Sequence, residues 1–138
     1  MTREIKFRYR YNRYRYKQSG ATGRNQIVTR IYNLDMIAEF AKPDDSEVIL
    51  SRDEFTGLKD KNGTEIYESD ILLVPTYPTE SNPIGEPDLC QVVWETGAFG
   101  YKQGGMFESF VGLLGAGCET DDESEVIGNV HQSPELIQ

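Results

Sequence analysis

The residues best suited to chemistry in this chain form a run of alternating arginines and tyrosines near its start. Arg8, Arg10, Arg13, Arg15 and Lys17 could contact phosphates, while Tyr9, Tyr11, Tyr14 and Tyr16 could stack on exposed bases. The same pattern has a second use. Tyrosines can pack inward while arginines face water, or bond to carboxylates of this chain or of a neighbouring copy. Composition favours that second use. Residues 1–30 hold nine basic residues against Glu4 alone, whereas the remaining chain holds five basic and 22 acidic residues, giving a formal net charge of −9. An acidic body opposes the approach of nucleic acid everywhere except near the stripe.

The other reactive residues do not assemble into a site. His131 is the single histidine, so nucleophilic catalysis by Ser or Cys would have one candidate imidazole base. It is expected on the last strand, in a surface or packing role. Cys90 and Cys118 lie 28 positions apart with no Cys-x-x-Cys and no second histidine, so they read as two separate thiols, not a zinc site or redox pair. Gly112-Leu113-Leu114-Gly115-Ala116-Gly117 has the glycines of a phosphate-cradling loop. Glu119, Asp121, Asp122 and Glu123 follow it, where such a loop needs a helix N-terminus and usually a lysine, so turns are expected. Neither Asp60-Lys61-Asn62-Gly63 nor the acidic run to Glu125 has the spacing of a calcium loop, and the run is expected to be exposed. No pair of carboxylates stands out for glycoside hydrolysis, whose spacing is a tertiary property. The chain therefore reads as a non-enzyme with no catalytic residue, no metal and no cofactor.

Short strands must position the stripe. Ile5, Phe7, Tyr9 and Tyr11 fall on one face, with Lys6, Arg8 and Arg10 on the other, which is the period of a half-buried strand. The phase slips by one at Asn12-Arg13, where a turn or bulge is expected. Residues 18–25 read as a connector. Ile27–Tyr32 is β-branched and aromatic and predicts a strand, after which Asn33 caps a short helix over Leu34–Ala41. Glu47–Ser51 predicts a further short strand. Asn62-Gly63 marks a hairpin tip with positive φ at both positions, and Glu65–Tyr67 forms the return arm. Ile71–Val74 reads as central core. Four prolines between Pro75 and Pro87 then impose a loop, Leu89–Glu95 and Glu125–Val130 resume as strands, and Ser133-Pro134-Glu135 begins a terminal helical turn. Leu58, Ile66, Ile71, Leu73, Val92, Trp94, Val126 and Ile127 are the expected core.

Taken together, 138 residues with 38% hydrophobic and 27% charged composition fit one globular protein and not a disordered one. The aliphatic run Ile71–Val74 is far short of the roughly 20 residues that cross a bilayer, and no apolar stretch behind Lys6–Lys17 makes a signal peptide. Two cysteines cannot frame a secreted disulfide scaffold. A soluble, cytoplasmic protein with no membrane partner is expected. Many short strands joined by Gly/Pro turns favour a small barrel or sandwich.

Several stretches also match a known pattern in order and spacing. They are Arg3-Glu4-Ile5-Lys6-Phe7-Arg8, the seventeen residues from Phe55-Thr56-Gly57-Leu58 through Asn62-Gly63 to Asp70-Ile71, Val92-Val93-Trp94-Glu95, Gly97-Ala98-Phe99-Gly100, Glu125-Val126-Ile127-Gly128-Asn129-Val130, and Pro134-Glu135-Leu136. The chain resembles the YopX family, small proteins of phages and prophages found mostly with Gram-positive hosts. The resemblance implies a mainly β fold: a small barrel-like, SH3-like or YopX-type core with an N-terminal β-hairpin extension and one or two short helices. It supplies no catalytic residues. Family members usually show Trp-Asp after the first strand, where this chain has Arg10-Tyr11, so a role of the stripe need not be shared.

The expectation is thus a phage- or prophage-encoded interaction protein that self-associates through Arg8, Tyr9, Arg10, Tyr11, Arg13, Tyr14, Arg15, Tyr16 and Lys17. A basic β segment over 1–33 would precede an acidic β-rich core over 34–138. Two other readings stand beside it: a nucleic-acid binder using the Arg/Tyr hairpin, and an acidic inhibitor whose carboxylates imitate phosphates to block host nucleic-acid-binding machinery. Its partner would be a second copy or a host or phage protein.

Overall fold

The computed structural model describes residues 4–15, 24–43, 47–95, 97–110 and 120–137. By their contacts they divide into two compact units, Arg3–Phe55 and Thr56–Gln138. The chain is mainly β, as its alternating patterns require.

The N-terminal unit is an antiparallel sheet with a helix against it. Strand β1 (Lys6–Arg15) pairs with β2 (Arg24–Asn33) on one side and with β3 (Glu47–Lys59) on the other. The connector proposed over 18–25 therefore yields its last two residues to β2. Helix α1 (Leu34–Phe40) starts where expected, because the Asn33 side chain accepts a hydrogen bond from the Met36 N–H at 3.0 Å. The break expected at Asn12 is absent from β1, which runs straight through. The irregularity lies one step earlier and on the partner: Arg10 faces Ser51 and Tyr11 faces Ile49, so Leu50 is the extra residue of a bulge in β3. Sequence alternation in β1 could not reveal a residue inserted in another strand. The short strand expected over Glu47–Ser51 runs on to Lys59, its last four residues belonging to the second unit.

In that unit β3 turns back into β4 (Glu65–Tyr67) through Asn62-Gly63. Gly63 N donates to Asp60 O at 3.0 Å, and Asp60 N donates to Thr64 O at 2.8 Å. Positive φ is confined to Gly63, at +81°. The turn is thus the three-residue kind with glycine in the left-handed position, not the two-residue kind that would have needed Asn62 there as well. Five further strands form one antiparallel sheet: β5 (Asp70–Val74), β6 (Asp88–Glu95), β7 (Ala98–Gln103), β8 (Met106–Ser109) and β9 (Glu125–Asn129), in the order β8-β7-β6-β5-β9. Among the described residues this sheet is open, with edges at β8 and β9, and does not close into a barrel. Gly100 is obligatory because a Cβ there would lie 2.2 Å from Glu108 O on the neighbouring strand. The chain ends in a 3₁₀ turn, Pro134–Ile137.

The core of this unit is Leu58, Ile66, Leu72, Cys90, Val92, Phe99, Tyr101 and Phe110, with Val74 and Val126 at its margin. Ile71 is also fully buried. Two expected core residues are exposed instead. Trp94 is 51% exposed at the sheet end, its ring against Phe99 at 4.7 Å, and Ile127 is exposed on β9. Leu73 and Val126 are only half-buried. The acidic run departs from expectation in the other direction. Asp121 and Ser124 are buried, with Asp121 accepting from the Tyr101 hydroxyl and from the Ser124 N–H at 3.1 Å. His131 lies in the turn after β9, not on a strand, its N–H donating to Asn129 Oδ1 at 3.1 Å. No helix among the described residues is long and apolar enough to cross a membrane.

Candidate interaction site on the N-terminal sheet

Pairing on both sides makes β1 an interior strand, so both faces of the Arg/Tyr stripe are committed differently from a free hairpin. On one face Tyr9, Tyr11 and Tyr32 are buried with Ala41, packed by Phe7, Met36 and Ile37. The Tyr9 and Tyr32 rings meet edge to face at 5.4 Å, and Tyr9 stacks on Tyr11 at 6.1 Å. The Tyr11 hydroxyl donates to Ala41 O at 2.6 Å, satisfying a carbonyl that the end of α1 leaves open. Burial, above all, pushes its phenol well above the ordinary value, so it stays neutral and remains a donor. Tyr11→Phe is expected to cost about 1–2 kcal/mol by stranding that carbonyl. Urea unfolding followed by circular dichroism measures the loss, and an unchanged midpoint would remove the bond from the account.

The same face carries the charge cluster. Register sets Arg13 opposite Glu47, with Arg30 reaching the same carboxylate from β2. Arg13 Nε and Nη2 donate to Glu47 Oε2 at 3.1 and 3.0 Å, and Arg30 Nη2 and Nη1 donate to Oε2 and Oε1 at 2.8 and 3.3 Å. The Arg30 guanidinium also lies over the Tyr11 ring, 4.9 Å from its centroid. The hydrogen bonds to Glu47 raise the pKa of Arg30 further, so two guanidinium ions share one buried carboxylate.

On the opposite face the register gives three rows across the sheet: Ile31–Arg8–Asp53, Thr29–Arg10–Ser51 and Ile27–Asn12–Val48. Arg8 Nη2 donates to Asp53 Oδ2 at 3.3 Å, and Lys6 lies 3.6 Å from Glu4 and over the Phe55 ring. Arg10 is buried, whereas Ile27, Ile31 and Val48 are exposed. Tyr14 and Arg15 hold strand positions opposite Asn25 and Arg24. Tyr16 and Lys17 lie outside the described residues, as do Cys118 and Gly112–Gly117.

A family model described as YopX protein matches residues 6–138. The chain belongs to the YopX family. Among solved structures, this YopX chain is similar to protein EF1440 from Enterococcus faecalis, at 22% identity over 99% of this chain and 100% of that one, with a TM-score of 0.49. No curated protein matches it.

In this YopX protein Tyr9 and Tyr11 are enclosed and cannot stack on a base. Arg8 and Arg10 are themselves largely covered, and what that face of the sheet exposes is its apolar flank of Ile27, Ile31 and Val48. Glu47, Arg30, Asp53 and Ser51, which complete the arrangement, escaped the sequence reading. Arg30 had a signal: Val28, Arg30 and Tyr32 alternate onto one face of β2. The carboxylates had none, because strand register is not written in either strand alone. Elsewhere, burial and then the nearby Asp88 and Glu108 push the Cys90 thiol up to about 11, leaving it un-ionised and unreactive at neutral pH.

Proposed function

We propose that this protein is a non-enzymatic, phage- or prophage-encoded interaction protein that associates with a second copy of itself through the N-terminal sheet. The observation that carries the reading is the outer strand. Among the described residues β2 ends the sheet; it is ten residues long, contains no proline, and presents Ile27 and Ile31 at 47% and 48% exposure. An edge of that length without proline or lysine is a template for pairing with another chain. A second β2 placed antiparallel across a twofold axis would satisfy its open backbone groups and cover both isoleucines in the same contact. The contrast between the basic first 30 residues and the acidic remainder supports association between copies over nucleic-acid binding, and burial of Tyr9 and Tyr11 removes the stacking surface that binding would use.

Light scattering at micromolar concentration is expected to give a mass twice that of one chain. Ile27→Lys/Ile31→Lys, at exposed positions the fold tolerates, is expected to give one. A wild-type monomer that binds single-stranded DNA or RNA with a steep dependence on salt would replace this reading with the nucleic-acid one.

A further inference from the structure

A largely buried arginine in this sheet has an Nε with no hydrogen-bonding acceptor. Arg10 is only 7% exposed, and its Nε is sealed from solvent with no hydrogen-bond partner. Directly opposite in register, Ser51 Oγ is likewise sealed and unpartnered. Two residues along the same face, the Asn12 side-chain oxygen is a third such atom. Amide oxygen and nitrogen exchange places by rotation, so Asn12 can present an N–H donor at that position instead. The nearest same-face carboxylate in the register, Asp53, already accepts from Arg8. Among the described residues the register of this face therefore sets two guanidinium groups against one carboxylate, which bonds to Arg8.

Burying a charge without a hydrogen-bonding counter-group is strongly unfavourable, and native interiors avoid it. The missing group must accept from a guanidinium N–H and a serine hydroxyl together, which one oxyanion does. We infer that Arg10 and Ser51 form a binding site for a single oxyanion group, a carboxylate or a phosphate. The site does not depend on self-association, since a free ion satisfies the same atoms. A second copy of this acid-rich chain is one source of such a group, and free anions are the other.

Thermal unfolding at matched ionic strength tests this, with sodium chloride as reference and acetate or inorganic phosphate as probes. The wild-type midpoint is expected to rise by about 2–8 °C and to saturate with either oxyanion, as binding to the folded state alone requires. Arg10→Met keeps the apolar stem and removes the charge. It is expected to be insensitive to the probes and, in chloride, to melt at or above the wild type, because an unsatisfied buried ion has gone. Ser51→Ala is expected to shift saturation to higher anion concentration. A midpoint that instead rises with protein concentration in chloride, and does so only when Arg10 is present, also supports the site and names the second copy as the source. Equal shifts in wild type and Arg10→Met would overturn it. So would an Arg10→Met protein that melts far below the wild type in chloride or does not fold, since Arg10 would then be satisfied within the chain.

Discussion

Leu72→Ala is expected to destabilise the Thr56–Gln138 unit by about 2–5 kcal/mol. Leu72 is fully buried on an interior strand of the five-stranded sheet, between Cys90 on β6 and Val126 on β9, and packs in the cluster that includes Ile66 and Val92. Removing three carbons there forfeits their transfer free energy. It also leaves a cavity that strands on both sides prevent from collapsing. Against a whole-domain stability of roughly 5–15 kcal/mol the loss is large. Urea unfolding followed by fluorescence of Trp94, the only tryptophan and a member of the same sheet, measures it. Ile127→Ala on the neighbouring strand is the control. That side chain is exposed, and its truncation is expected to cost less than about 1 kcal/mol. Equal losses at the two positions would mean that β9 is set in a different register.

Most of this architecture was legible because its signals are local. The alternation in Ile5–Tyr11, the β-branched run Ile27–Tyr32, the Asn33 cap, the Asn62-Gly63 turn and the doubly apolar Ile71–Val74 each depend on neighbours in sequence. Each produced the expected element. What failed was non-local. Trp94 has the parity of Cys90 and Val92 and belongs to their face, but it sits at the end of β6, where no further row of the sheet covers it. Composition can place a tryptophan on a face but cannot say where that face stops. Asp121 failed in the opposite sense. A run of acids reads as solvated, yet a carboxylate that accepts a tyrosine hydroxyl and two backbone N–H groups is stable when buried.

The candidate site divides along the same line. That Tyr9 and Tyr11 might pack inward, with Arg8 and Arg13 on carboxylates of the same chain, was legible as one of two uses of an alternating stripe. The choice between them depended on strand order. With β1 at the edge, one flank of Arg8, Arg10 and Arg13 would have been open. With β2 and β3 on either side, Asp53, Ser51 and Glu47 lie opposite those arginines and decide what each can still bind.

The other large effect belongs to Asp60, a residue that looks from sequence like one more surface acid beside a turn. It is buried. Its Oδ1 accepts the Asn62 and Thr64 N–H groups at 2.8 and 2.9 Å, closing the turn, while Oδ2 accepts the Val126 N–H of β9 at 2.9 Å. Burial raises the pKa of this carboxyl, but the three backbone donors and then Lys61 outweigh burial and hold it below the ordinary carboxylate value. A pKa lower in the folded than in the unfolded chain means that ionised Asp60 contributes stability above the unfolded value of about 3.9. That contribution is lost as pH falls through the folded value. Asp60→Asn keeps the shape but turns an NH₂ toward at least one of those N–H groups, donor against donor, and is expected to cost about 1–3 kcal/mol at pH 7. The deficit should shrink on acidification, because the wild type loses its carboxylate while the asparagine protein has none to lose. Urea midpoints of the two proteins from pH 7 down to the acid limit of folding measure this convergence. A difference that stays constant over that range would mean that the Asp60 charge does not tie the turn to β9.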